Sequence, residues 1–498
     1  MNENKPSFRI EPYLALLAVA LFSCFCIPST EGTLRNLLYP VILITLLLFF
    51  FAFRSTIDLK KFRLKDTWLI MLPGFFVKFC YILYTQVWDR QHDVVDFHAG
   101  EGQAAYIEYF LSHKSLPDFD PRSVWGFFQP PLHHIISAIW MKISLFLKLS
   151  ERQAQENVQA LTFFYMGSLM LLTDALCQEL ELKQRGRTIA VAIVSLHPIY
   201  ILLSGSINND ALSLVLMMLS LYLAVVWFKR PRMLTIVLLA LSIGFAMFAK
   251  LSGGMIAPAV AALFVIKLVK SKGERLKYIL QYIVFGILCV PVGLFWSVRN
   301  MVLYRMPVNY IPPVGQQFPE NSLFYRLLDF HMESVYPAMV ELGDEYYEHN
   351  LFLSILKSSL FGEYNYSNYS GLFTPFAVVL FISGLVLAVL ALVSTVRLVL
   401  MKKSNLAMPW RWFFGVLYAT LIASYCSFAL SYFNFSAQDF RYAALSIVVE
   451  SILLGIFADT LNEEKGAGKA LSYTIKGATA VFCVCSFVIY IMLGFFKP

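Results

Sequence analysis

Between Asp89 and Glu101 the chain carries Asp89, Arg90, His92, Asp93, Asp96, His98 and Glu101, in a sequence only 14% charged. This run lies just after an apolar segment, Thr67–Thr85. A carboxylate held at such a boundary is partly desolvated, and its pKa can move toward the value a general base needs. The plainer reading is a solvated acidic loop that helps fix orientation. Farther along come Trp125, Phe127, Phe128, Gln129, Pro130, Pro131, Leu132, His133 and His134. The prolines should stiffen this turn, while its aromatics would also suit a belt at headgroup level. His92, His98, His133 and His134 with the aspartates could hold a divalent metal, but they lack a fixed ligand spacing. No cofactor is assigned, and a divalent metal stays open.

A second group sits at expected helix ends. Asn208, Asn209 and Asp210 form a short link, Lys250-Leu251-Ser252-Gly253 another, followed by Arg299-Asn300 and Gln438-Asp439-Phe440-Arg441. Asn and Asp cap helix starts, and Lys and Arg snorkel toward headgroups, so each has a structural explanation. Cations at Lys250, Arg299 and Arg441 on the face that charge bias should leave poor in them also suit an anionic lipid phosphate.

The elements that must position these residues are membrane helices. Of 498 residues 58% are hydrophobic and only 14% charged, against about a quarter charged in an ordinary soluble domain. Apolar runs long enough to cross a bilayer recur at Tyr13–Ile27, Asn36–Phe53, Thr67–Thr85, Val158–Cys177, Thr188–Leu203, Ala211–Phe228, Met233–Phe248, Met255–Val269, Tyr278–Trp296, Leu372–Val396, Trp412–Leu430, Tyr442–Ala458 and Tyr473–Phe495. The expectation is an all-α polytopic membrane protein with about thirteen transmembrane helices. His134–Leu149 follows Pro130-Pro131 and carries Lys142 and Lys148, so it reads as an amphipathic helix at the interface. The N-terminal apolar run has no small-residue cleavage site and is kept as the first helix.

With the N-terminus in the cytoplasm, 25 Lys and Arg and 10 Asp and Glu fall inside, against 14 and 20 outside. That bias favours this orientation. The net charge of +8 is then topological, and nucleic acid is not expected as a partner. The eight cysteines lie in or beside apolar segments and read as core residues. Both long polar segments fall outside, dividing the chain into N-terminal helices (1–86), a first outer loop with the interfacial helix (87–157), a transmembrane core (158–298), a second outer loop (299–371) and C-terminal helices (372–498). Loops of this length are more often functional than connective.

In order and kind these residues resemble the C-type (GT-C) superfamily of membrane glycosyltransferases, in its protein O-mannosyltransferase and aminoarabinose-transferase branch, similar to glycosyltransferase family 39. The resemblance is carried by His92-Asp93-Val94-Val95-Asp96, Tyr106-Ile107-Glu108-Tyr109, Leu116-Pro117, Gln129-Pro130-Pro131-Leu132-His133-His134, Asn209-Asp210-Ala211-Leu212, Ala249-Lys250-Leu251-Ser252-Gly253, Val298-Arg299-Asn300 and Asp439-Phe440-Arg441-Tyr442. It implies transfer of a sugar from a polyprenyl-phosphate carrier to a lipid, glycan or protein acceptor on the non-cytoplasmic side, with inversion. Asp93 or Asp96 would be the base. Lys250, Arg299, Arg441, His133, His134, Asn209, Asp210 and Gln129 would bind substrate and lipid phosphate. Two spans precede the one leading into the acidic loop, a departure that leaves both aspartates as candidates.

Two other classes fit the composition, a transporter or lipid flippase and an oligosaccharide polymerase or ligase. Transporters place ionisable groups near the midplane, whereas only Lys78, Asp174 and Glu450 fall within expected spans. The Phe496-Lys497-Pro498 end carries no retention signal, which points to a bacterial inner membrane.

Overall fold

The computed structural model describes residues 9–23, 66–87, 94–313, 320, 322–337, 348–366, 368–369, 371–401, 405–432, 434–463 and 465–495. The expected span Asn36–Phe53 and the candidate base Asp93 lie outside them. Every regular element among the described residues is a helix. Lipid offers backbone groups no partner, so a chain this apolar satisfies them within helices. Among the described residues eight helices are long and apolar enough to cross a membrane, or nine if one bent pair counts as a span. The chain is an integral membrane protein of all-α fold.

Two units divide the chain, Met1–Glu181 with Leu203–Pro312, and Leu182–Leu202 with Pro313–Pro498. The first holds α1 (Glu11–Ser23), α2 (Asp66–Tyr84), α3 (Gly102–His113), α4 (Leu132–Phe146), α5 (Glu151–Glu156) and α6 (Val158–Glu179). The second begins with α7 (Gln184–Leu196) and α8 (Pro198–Gly205), the latter running to the unit boundary. The first unit resumes with α9 (Asp210–Lys229), α10 (Met233–Ala249), α11 (Ala257–Lys270) and α12 (Arg275–Tyr304). The rest of the second is α13 (Leu323–Leu327), α14 (Leu351–Phe361), α15 (Phe373–Thr395), α16 (Met408–Ser431), α17 (Leu445–Asn462) and α18 (Ala467–Phe495).

In the first unit α6 is the central element, packed by α1, α2 and α9. A methyl group added at Gly167 would stand 2.6 Å from Leu16 and 3.0 Å from Phe75, so this glycine sets how closely α1 and α2 approach. Association in lipid depends on such close approach, because lipid removes the hydrophobic drive between helices. In the second unit Gly186 and Gly455 touch backbone to backbone, with an added Cβ on Gly455 only 2.4 Å from the Gly186 carbonyl oxygen. The Gly186 N–H donates to Asp459 at 3.1 Å.

Two features depart from the sequence reading. The expected span Thr188–Leu203 is bent by 43° between α7 and α8. His197 is extended (φ −67°, ψ 128°), the conformation that a following proline, here Pro198, imposes. The second expected loop contains α14, an apolar helix eleven residues long, too short to span and interrupted by Lys357. Asn350 caps it by accepting from the N–H groups of Phe352 and Leu353 at 3.0 and 3.2 Å. The stretch expected to lie at the interface forms a helix, α4, with Ile139, Ile143 and Phe146 exposed along one stripe.

Candidate functional site

The first long loop is folded onto the first unit by α3 and by two backbone crossings. The Ala104 N–H donates to the Val94 carbonyl at 3.1 Å and the Gly102 N–H to the Trp125 carbonyl at 2.9 Å. Gly102 has φ +83°, and an added Cβ would fall 2.4 Å from the Val94 oxygen. Only glycine meets both demands. Tyr106 stacks between Phe127 and His134, each ring 4.3 Å away.

The prolines before α4 set His133 and His134 side by side at its start. The His134 Nε2–H donates to the Oε1 of buried Gln103. The His133 Nε2–H donates to the Ile207 carbonyl at 2.7 Å, and since a carbonyl only accepts, this fixes the tautomer. Burial pushes His133 down to about 4, against smaller upward pulls from the Ile207 bond and Asp210. His134 is pushed well below its ordinary value, first by burial and then by His133. Both rings are therefore neutral near pH 7 and hold the loop by hydrogen bonding.

Ile207 opens the link into α9, where the other expected residues gather. Asn209 Nδ2 donates to the Ala249 carbonyl at 2.8 Å and to Gln129 Oε1 at 3.3 Å, joining the link to the first loop and to the end of α10. The ammonium of Lys250, next in the chain, pairs with Asp210. Trp296 on α12 donates to the Phe128 carbonyl at 3.0 Å. Arg299, one turn on, lies over Trp296 at 5.1 Å and donates to the Pro117 carbonyl and to Asn300 Oδ1, the latter at 2.8 Å. Gln129, His133, His134, Asn209, Asp210, Lys250 and Arg299 thus share one polar region of the first unit.

Asp96 is exposed and accepts from the Phe97 N–H at 2.8 Å, with its charge felt at Glu156. Beside it Glu156, at the end of α5, accepts from the Val87 N–H at 2.9 Å and from Gln159 at 3.3 Å, and pairs with Arg152 at 3.2 Å. Glu156 and Gln159 were missed in the sequence. They sit at the polar start of a span, where the capping box of Ser150 and Gln153 marks the helix entry but not which side chain turns inward. Several buried polar atoms here have no partner among the described residues: Gln159 Oε1, Asn208 Nδ2, Asn300 Nδ2, Ser206 Oγ and Tyr165 OH. Buried polar groups are seldom left so. No three His, Cys, Asp or Glu side chains converge as a metal site would need among the described residues.

Arg441 belongs to the second unit, where Asp439 lies 3.8 Å away and the ring of Tyr442 5.0 Å away. A buried network adjoins it in sequence and space. Lys357 and Glu348 form an ion pair with both side chains fully buried. Arg326 donates to the carbonyls of His349 and Ala429 and to Gln438 Oε1, while Gln438 donates to the Glu348 carbonyl at 2.8 Å. Burial raises Glu348 above the usual carboxylate range, against the pull of Lys357.

Residues 158–307, α6 through α12, match the family described as dolichyl-phosphate-mannose-protein mannosyltransferase. Among solved structures the chain is similar to the apo oligosaccharyltransferase of Archaeoglobus fulgidus, with a TM-score of 0.50 at 13% identity over 85% of this chain and 56% of that one. The same archaeal enzyme, AglB, in complex with an inhibitory peptide and a dolichol-phosphate gives 0.50 at 14% identity over the same shares. ArnT from Cupriavidus metallidurans, bound to undecaprenyl phosphate, gives 0.48 at 13% identity over 86% of this chain and 76% of that one. The chain spans little more than half the length of the archaeal enzyme. No curated protein matches the sequence. The resemblance to C-type membrane glycosyltransferases drawn from the residues is borne out, and at these identities the structural likeness is one of fold.

Proposed function

We propose that the chain is a glycosyltransferase that moves a sugar from a polyprenyl-phosphate carrier to a lipid, glycan or protein acceptor on the non-cytoplasmic side of a bacterial inner membrane, with inversion at the anomeric carbon. The observation that carries this reading is the joining of the acidic first loop to the ends of α9, α10 and α12 through Asn209, Gln129 and Trp296. Those helix ends lie within the stretch that matches the mannosyltransferase family. The archaeal structure with bound dolichol-phosphate supports a lipid-phosphate donor.

In this mechanism Asp93 or Asp96 takes the proton of an acceptor hydroxyl or amine as it attacks the anomeric carbon. The bond from that carbon to the phosphate oxygen breaks, and the lipid phosphate leaves with the electron pair. Fixed cations at the developing charge lower the barrier, an effect commonly worth about 3 to 4 kcal/mol for a single donor. The geometry ranks the candidates. Lys250 and Arg441 each face a carboxylate, Asp210 and Asp439, and the two histidines are neutral. Arg299 is held by a carbonyl and an amide and pairs with no carboxylate among the described residues. Arg299 therefore brings net charge and is the first choice for the phosphate.

The test is transfer from radiolabelled polyprenyl-phosphate sugars by purified protein, with wild type beside Asp93→Asn and Asp96→Asn. Loss in one variant names the base. Full transfer by the double variant overturns the carboxylate mechanism, and ion or lipid flux without sugar transfer in proteoliposomes favours a transporter. Supplying lipid-linked oligosaccharide beside the monosaccharide separates a polymerase or ligase from a monosaccharide transferase.

A further inference from the structure

Away from the candidate site, α3 and α4 leave a groove of about 330 Å³ between them. Phe110 and Leu116 wall one side and Ile135 and Ile139 the other, while Lys114 and Lys142 stand on opposite walls. No carboxylate lines it. Both lysines are exposed and form no ion pair among the described residues. Lys114 is fixed in the left-handed region (φ 57°) where it ends α3, with its N–H on the Phe110 carbonyl. Its ammonium stem therefore starts from a defined point, not from a flexible tip.

The groove continues onto exposed apolar surface. Ile139, Ile143 and Phe146 form a stripe on α4 that is 55%, 40% and 81% exposed, flanked by Lys142. Helices with an apolar stripe and lysines beside it lie in the membrane interface. An apolar trough flanked by two ammonium groups suits an occupant that is both anionic and greasy. The volume lies in the range of small-molecule sites, enough for a headgroup with the start of a chain whose remainder runs along the stripe.

We propose that this groove binds an anionic glycerophospholipid of the surrounding bilayer, its phosphate between Lys114 and Lys142 and one acyl chain against Phe110, Leu116, Ile135 and Ile139. Leu116 precedes Pro117, whose carbonyl accepts from Arg299. Occupancy would thus steady the segment that holds the candidate phosphate-binding arginine. The proposal does not require the transferase reading, since lipid retention is measured without any sugar donor.

The experiment is native mass spectrometry of the detergent-purified full chain titrated with phosphatidylglycerol or phosphatidylcholine. Wild type is expected to retain phosphatidylglycerol at least tenfold more strongly. Lys114→Ala with Lys142→Ala should reduce that retention at least tenfold. Lys148→Ala, in the turn just past the end of α4 and outside the groove, should leave it unchanged. Ile139→Glu, an exposed position, should abolish it with both lysines present, and because all four positions are exposed, folding is checked simply by elution profile and thermal midpoint. Equal retention of the two lipids, an equal loss in Lys148→Ala, or no loss in Ile139→Glu would each reduce the interaction to general surface attraction and overturn the proposal. Displacement of the lipid by inorganic phosphate alone would overturn it in favour of a free-anion site.

Discussion

The two polar clusters differ in how completely they are paired. In the second unit Lys357, Glu348, Arg326 and Gln438 are all buried, and each finds protein partners. In the first unit Gln159, Asn208 and Asn300 are equally buried, yet each keeps an amide atom without a partner among the described residues. A satisfied buried network stabilises one arrangement, whereas an unsatisfied one carries a desolvation cost of about 1 to 3 kcal/mol for each group. On the proposed reading the second cluster holds the fold, and the open amide atoms of the first would meet a substrate's hydroxyls and phosphate oxygens.

The sharpest way to break this comparison is Lys357→Met. It leaves Glu348 buried without its cation, and should cost about 3 to 5 kcal/mol of stability, read as a drop in thermal midpoint in detergent. Adding Glu348→Gln should recover much of the loss, since the pair contributes less than its rupture costs. Lys250→Met should lower the midpoint less, because the Lys250 side chain is 15% exposed and water can reach Asp210, while reducing sugar transfer more than the Lys357 variant does per folded molecule. A reversal of that order would make the second cluster the functional one.

Next in size is a pH effect confined to the first cluster. The folded value of His133, about 4, lies below its ordinary 6.5, so the unfolded chain takes up the proton first. Stability is whole above pH 6.5 and falls as the pH drops toward 4, by roughly 3 kcal/mol if burial acts in full. His133→Gln should flatten the midpoint's decline over that window while lowering the midpoint at pH 7. An unchanged slope would leave His134 or a carboxylate as the titrating group.

How much of this could be read from residue order follows the same division. Asn209, Asp210, Lys250 and Arg299 were legible because a polar residue at the end of an apolar run has few places to go, and helix ends meet on one face. Gln129 and His133 were legible as a proline-stiffened segment, but their neutrality and hydrogen bonding were not, because burial is a property of the packed loop. Gln103 and Gln159 gave no signal, lying within helices as ordinary polar residues. The α14 network was hidden for a different reason: an eleven-residue stretch broken by three serines and Lys357 read as loop, and only the cap at Asn350 and the partner Glu348 make it a buried helix. The bend at His197 was written in Pro198, yet apolar length on both sides outweighed it.

A smaller effect separates two glycines of the acidic loop. Gly100 and Gly102 share a left-handed backbone, φ +82° and +83°, but an added Cβ meets nothing within 4 Å at Gly100 and stands 2.4 Å from the Val94 oxygen at Gly102. Gly100→Ala should cost only the conformational strain, about 1 to 2 kcal/mol. Gly102→Ala must also displace Val94, and with it Asp96, so sugar transfer should fall in the second variant and hold in the first. Equal transfer in both would mean that the 94–96 segment does not position the base.

The smallest expected change in stability belongs to Asp96→Asn, and it is the most telling. Asp96 is exposed, and its carboxylate accepts from the adjacent Phe97 N–H, a bond an asparagine oxygen also makes. Its replacement should leave the thermal midpoint where it was. If transfer nevertheless falls by the roughly 100- to 10,000-fold expected for a lost general base, Asp96 is the base. If transfer is unchanged as well, the role passes to Asp93, and the exposed edge at Asp96 is the solvated rim of the site. A midpoint that falls together with transfer would make Asp96 a support of the loop, and the contrast between a saturated cluster that holds the fold and an open one that does chemistry would lose its clearest case.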